Sequence, residues 1–168
     1  VRPSDGSKTG KAPEETSLVC LGPDPAGRLK VRWRLPAPGD GKTPTAWEGA
    51  PLVAGRRMWA AHARFEGGRV VHGIDCYDPA DAATAPRLAW AADVCDSPLS
   101  TSGDPRARQE LPTLAGRNVV FCSNTGAVVA LDAVTGRRAW GFRYPRSWKA
   151  DAVRSPDPSP AVFAGGRL

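Results

Sequence analysis

The run Val128-Val129-Ala130-Leu131-Asp132-Ala133-Val134-Thr135-Gly136-Arg137-Arg138-Ala139-Trp140 constrains the fold most tightly. Val128 to Leu131 is uninterrupted apolar sequence, as in a strand covered on both faces. Asp132 ends it with a carboxylate that can bond backbone N–H groups two residues on. Thr135-Gly136 supplies the reversal, with Gly136 free to take positive φ. Trp140 follows four residues later, and its large ring suits packing against a neighbouring unit. Weaker copies lie upstream. One runs from Cys76-Tyr77-Asp78-Pro79 to Trp90, the other from Cys20-Leu21-Gly22-Pro23 through Gly27 to Trp33. The chain is therefore expected to be a repeat array.

The tryptophans mark the period: 57 residues separate Trp33 from Trp90, and 50 separate Trp90 from Trp140. A second marker repeats with them. Ala50-Pro51-Leu52-Val53-Ala54-Gly55 is matched by Leu111-Pro112-Thr113-Leu114-Ala115-Gly116, and a fourth unit starts at Ser159-Pro160-Ala161-Val162-Phe163-Ala164-Gly165. Periods of this size carrying four strand signals each are the signature of propeller blades. The fold class expected is all-β: consecutive four-stranded blades of a β-propeller, incomplete at both ends. Residues 1–16 read as a polar loop or the remnant of a first blade, and 17–40 as a partial blade. Residues 45–95 read as a blade, 96–109 as a loop, 110–145 as a blade and 158–168 as the start of the next. The 17 Pro and 18 Gly agree with short strands and many turns. Both ends look cut, so the chain is expected to be a piece of a longer protein.

Charge and cysteines exclude more than they assign. The net charge of +6 is carried mostly by arginine, scattered without a run of five, so nucleic acid is not an expected partner. No apolar run reaches the length of a membrane helix. Cys20 and Cys76 occupy the small-residue register that Ala130 fills in the clearest copy. Equivalent positions on stacked sheets lie about 10 Å apart, too far for a disulfide. Pairing of Cys95 with Cys76 or Cys122 stays open.

Chemistry-bearing residues are few. Along a strand at 72–78, His72, Ile74, Cys76 and Asp78 share one face, and Asp75 and Tyr77 the other. His72 and Cys76 could reach one ion, but no second His/Cys pair completes a tetrahedral set. Asp75, Asp78 and Asp81 lack the oxygen-rich loop and terminal glutamate of a Ca²⁺ site. Asp132 reads as a turn-capping carboxylate. There is no nucleophile elbow, Walker loop or dinucleotide fingerprint. Trp59 has no matching position in the repeat, and the set Trp59, Trp90 and Trp140 reads as packing.

The third unit resembles a repeat of the pyrroloquinoline-quinone-type β-propellers. That repeat carries Pro-x-Val-x-x-Gly, an apolar strand, then Ala-x-Asp-x-x-x-Gly-x-x-x-Trp. Ala130, Asp132, Gly136 and Trp140 match its last positions. The second unit keeps Pro51, Gly55, Asp78 and Trp90, with an insertion and without the turn glycine. The first keeps Gly27 and Trp33 with a two-residue insertion and is read as lacking the aspartate. The resemblance spans 17–168 and implies that the tryptophan and glycine form docking contacts between blades. Trp33, Trp90, Ala130, Asp132, Gly136 and Trp140 are the structural positions it marks. It implies a non-catalytic propeller scaffold or a recognition module in the bacterial cell envelope or periplasm. A protein or small ligand would bind at the propeller mouth, through loops 95–109 and 143–157, and the remaining blades would belong to the same protein. No cofactor is expected in this stretch. The alternative is part of a quinone-dependent dehydrogenase, which would need pyrroloquinoline quinone and Ca²⁺.

Overall fold

A computed structural model of the chain describes residues 16–78, 84–98, 111–123, 126–144 and 161–167. Every regular element among them is a β-strand, and every ladder is antiparallel. β1 (Ser17–Pro23) and β2 (Leu29–Pro36) form a hairpin. β3 (Thr45–Trp47), β4 (Leu52–Ala54), β5 (Arg57–Glu66), β6 (Arg69–Asp78) and β7 (Arg87–Pro98) form a second sheet. β3 and β4 share one edge position, pairing with opposite ends of β5, and the order is then β5-β6-β7. β8 (Thr113–Ala115), β9 (Asn118–Ser123), β10 (Ala127–Asp132) and β11 (Arg138–Arg143) form a third sheet in sequence order. The sheets are meanders, as propeller blades are, but they do not close on one another.

One boundary differs from the sequence reading. The unit expected at 45–95 opens with the strand Thr45–Trp47, held by the far end of β5. β7 runs on through Asp96-Ser97-Pro98, inside the loop expected at 96–109, because β6 is long enough to pair with it throughout. Arg69 across the sheet holds the Asp96 carboxylate of this polar extension, and Arg64 holds Asp93 just before it. Most of the expected loop 96–109, and of the second loop region 143–157, lies outside the described residues.

One feature recurs in all three sheets. Cys20 stands opposite Trp33, Cys76 opposite Trp90, and Ala130 opposite Trp140. Immediately after each small residue the register slips, so that the residue before each tryptophan is a bulge. A small side chain opposite the indole leaves room for the ring, and the bulge twists the outer strand. Turns recur as well: Gly55, Gly116 and Gly165 have φ of 58°, 60° and 57° at the same place in the repeat. The last of these closes the isolated bridge between Ala164 and Arg167.

The larger core lies between the second and third sheets. Trp59, Ala61, Ile74, Cys76 and Val94 pack against Val119, Phe121, Val129, Leu131 and Ala133. The alternation along β6 follows the strand period: Ile74 and Cys76 enter this core, with His72 against Phe121 at 5.8 Å between ring centroids. Trp59, without a place in the repeat, is buried here and donates its indole N–H to the Ala133 carbonyl at 3.2 Å. A smaller core joins the hairpin to the second sheet through Leu18, Trp33, Leu35, Trp47, Met58 and Tyr77.

Candidate functional site

The turn Asp132–Arg137, between β10 and β11, is the best-built polar structure in the third sheet. Asp132 Oδ1 accepts from the N–H groups of Val134 and Thr135 at 3.1 and 2.9 Å and from the Thr135 hydroxyl at 3.0 Å. Its other oxygen accepts from Arg117 at 2.6 Å. The Arg117 guanidinium and these donors hold its carboxyl well below the usual carboxylate range. A carboxylate so fully engaged caps a turn; its lone pairs are not available to take a proton. Gly136, with φ of 71°, donates its N–H back to the Asp132 carbonyl at 2.9 Å.

The second sheet grips this turn from the side. The Trp90 ring lies against Gly136: a Cβ built there would stand 2.6 Å from Cε3 and 2.7 Å from Cδ2. Arg57 donates to the carbonyls of Ala133 and Val134 at 3.1 and 2.8 Å, and Trp59 shares the Ala133 carbonyl. Arg138 reaches back to the Val94 carbonyl at 2.9 Å. Trp90 and Gly136 are thus brought together across two sheets. Ala130 is fully buried opposite Trp140, and Trp33 packs into the smaller core. Trp140 is 42% exposed, since no described sheet lies beyond it.

The hairpin contains a turn that the sequence reading missed. Asp24 Oδ1 accepts from the N–H groups of Ala26 and Arg28, both at 2.9 Å. Asp24 N–H bonds to the Arg28 carbonyl, and Gly27 N–H, at φ of 77°, returns to the Asp24 carbonyl. This is the Asp132–Gly136 arrangement made one residue shorter. The first unit therefore does have its aspartate, two residues further along from Cys20 than Asp132 is from Ala130.

A polar cluster is buried in the second sheet, on the face toward the hairpin. The Tyr77 hydroxyl donates to Asp75 Oδ2 at 2.9 Å, and His62 Nδ1 lies 3.5 Å from Asp75 Oδ1. Burial pushes the Asp75 carboxyl up and the His62 imidazole down, each disfavouring its charged form. Trp47 meets both the His62 and Tyr77 rings edge-on. Gly73, the cross-strand partner of His62, leaves room for the imidazole, whose ring atoms would be 2.5 Å from a Cβ there. His62, Arg64, Asp75, Leu88 and Asp93 line an open groove of about 330 Å³. On the opposite face His72 Nδ1 meets Glu48 Oε2 at 2.8 Å.

The metal-ligand types at 72–78 do not converge. His72 is taken by Glu48, Cys76 lies in the apolar core, and Asp75 points to the other face. Burial raises the Cys76 thiol to about 11, which leaves it unreactive. Asp78 pairs with Arg57 at 3.7 Å and Arg87 at 3.9 Å, and Asp81 lies outside the described residues. Among the described residues no three His, Cys, Asp or Glu side chains form a metal cluster. Cys20, Cys76, Cys95 and Cys122 are all thiols, which closes the pairing question for this structure. No described helix is long and apolar enough to cross a membrane.

No protein-family model matches the chain, and no curated protein matches it. Among solved structures, a europium-containing methanol dehydrogenase superposes on 60% of this chain with a TM-score of 0.40 and 20% identity. The match covers 17% of the dehydrogenase chain, so the chain spans a small part of that protein's length.

Proposed function

We propose that the chain is a section of a β-propeller of quinoprotein-like repeats and acts as a non-catalytic scaffold or recognition module. The observation that supports this best is the recurring pair of a small residue opposite a bulge-borne tryptophan, together with the seating of Trp90 on Gly136. The recurring contacts in this geometry go into joining sheets. Asp132 caps, Arg57 clamps and Trp90 fills, and each is consumed by an internal contact. On this reading the further blades belong to the same protein. A protein or small ligand is recognised at the propeller mouth, and the bacterial cell envelope or periplasm is the location that the repeat resemblance suggests.

The competing reading is a part of a quinone-dependent dehydrogenase. Titration with pyrroloquinoline quinone, with and without Ca²⁺, followed by quinone absorbance and tryptophan fluorescence, separates the two. The scaffold reading expects no saturation. Saturable one-to-one binding at micromolar quinone would transfer the proposal to the enzyme.

A further inference from the structure

We propose that the groove over His62 and Asp75 is a binding site for a small molecule carrying a primary ammonium group on a short alkyl stem. Two polar atoms at its floor have no hydrogen-bond partner among the described residues: His62 Nδ1 and Asp75 Oδ1. They face each other at 3.5 Å, too long for a hydrogen bond. Both side chains are more than nine-tenths buried, at 7% and 2% exposed. Unpaired polar groups at such depth cost stability unless a ligand or water completes them. The Tyr77 hydroxyl already takes Asp75 Oδ2 at 2.9 Å, so one carboxylate oxygen is left to accept. Burial disfavours the charged imidazole. With its one proton on Nε2, the neutral ring presents Nδ1 as a second acceptor. Two acceptors then face each other, and a donor with several N–H groups is what both lack.

The chemistry of the groove selects the ligand. Asp75 and Asp93 line it against one guanidinium, Arg64, which already holds Asp93 and Glu66. The local balance is negative in a chain whose net charge is +6, so a cation is favoured here. A metal ion is not, because no three His, Cys, Asp or Glu side chains among the described residues could hold one. A guanidinium would engage both oxygens of a carboxylate, and Tyr77 occupies one. A primary ammonium is a compact donor with three N–H groups, and it can bridge two acceptors on neighbouring strands. It would stand between Nδ1 and Oδ1, which asks a small shift of the imidazole away from Asp75. Pro38, Leu88, Ala91 and Ala92 supply apolar walls for the stem, in a volume of about 330 Å³. Pro38 and Gly39 lie in the connection after β2, the same place in the repeat as the mouth loops expected after β7 and β11. The proposal names the ligand class for the recognition reading above and rests on that reading.

Titration of the full chain with n-butylammonium, followed in nitrogen–proton correlation spectra, tests it. Saturable one-to-one binding in the millimolar range is expected, about what so few atoms can achieve, with shifts at Gly73, Asp75 and the His62 ring. Butyltrimethylammonium, equal in charge but without N–H donors, should bind at least about tenfold more weakly. Nα-acetyl-lysine methylamide separates the two sources of the group: tighter binding than butylammonium assigns the site to a lysine derivative, weaker binding to a free alkylamine. Asp75→Asn removes the charge, and Ala91→Leu narrows the groove from an exposed position. Each should weaken binding by more than about tenfold, and Ala91→Leu decides alone if Asp75→Asn unfolds. No saturation by butylammonium, equal binding of the trimethyl analogue, or binding that neither variant weakens would overturn the proposal. Such a failure leaves the scaffold reading standing, whereas saturation in the quinone titration above would remove that reading whatever butylammonium does.

Discussion

Replacing Gly136 by alanine adds one methyl group at the joint between the second and third sheets, and two costs follow. The residue has φ of 71°, a left-handed conformation that costs an L-residue about 1–2 kcal/mol. The new Cβ would lie 2.6 Å from Trp90 Cε3 and 2.7 Å from Cδ2. The ring cannot yield cheaply, since Trp90 also packs against the inter-sheet core. Overpacking of this kind costs about 1–3 kcal/mol, so the total is about 2–5 kcal/mol. Gly116→Ala supplies the control. Its φ of 60° incurs the conformational cost, but nothing lies within 4 Å of its Cβ. Urea melts of the two variants should therefore differ by the overlap alone, about 1–3 kcal/mol. In a Trp90→Ala background the overlap disappears, and Gly136→Ala should cost no more than Gly116→Ala. If the two glycine variants melt together, or if removing Trp90 leaves the Gly136→Ala loss unchanged, the indole does not seat on this turn.

Other substitutions probe the same interface and the polar cluster behind it. Phe121→Ala, emptying a fully buried position, should cost about 3–5 kcal/mol in denaturant melts. Trp59→Ala should cost more than Trp140→Ala in the isolated chain, reversing the order that the repeat register alone suggests, because Trp59 is buried and Trp140 is not. Arg57→Met should lose about 1–3 kcal/mol by leaving the Val134 carbonyl without its donor and the Ala133 carbonyl with Trp59 alone. Burial depresses the His62 pKa in the folded state, so the unfolded chain binds the extra proton first as pH falls. Stability should accordingly drop as pH is lowered through about 6.5, and His62→Gln should flatten that part of the profile. The raised Asp75 carboxyl acts in the opposite sense, so the comparison with His62→Gln decides: a profile that this substitution leaves unchanged would contradict the assignment.

The repeat was legible because its markers are periodic and chemically distinct. A tryptophan with a small residue in the preceding strand survives insertion and can be counted, even though only the third unit keeps a glycine four residues before it. The strand faces of 72–78 were legible for the same reason, since a period of two decides which side chains enter the core. What escaped depends on register. Asp24 was hidden because it follows Cys20 by four residues where Asp132 follows Ala130 by two, and a fixed spacing lands on Gly22 instead. Asp96–Pro98 reads as loop from polarity, yet the length of β6 draws it into the sheet. The meeting of His62 with Asp75 over Gly73 has no local signal at all, because it requires knowing which residues of β5 and β6 stand opposite one another.

The account turns on the second and third sheets being stacked copies of one unit, joined at Trp90 and Gly136. An isotope-edited nuclear Overhauser spectrum of the chain in solution measures that joint directly. The structure predicts cross-peaks from the Trp90 Hε3 proton to the Gly136 α-protons, and from the His72 ring to the Phe121 ring. Assigned resonances with both sets of cross-peaks absent would contradict it, because sheets that do not place these atoms together are not stacked in the repeat register.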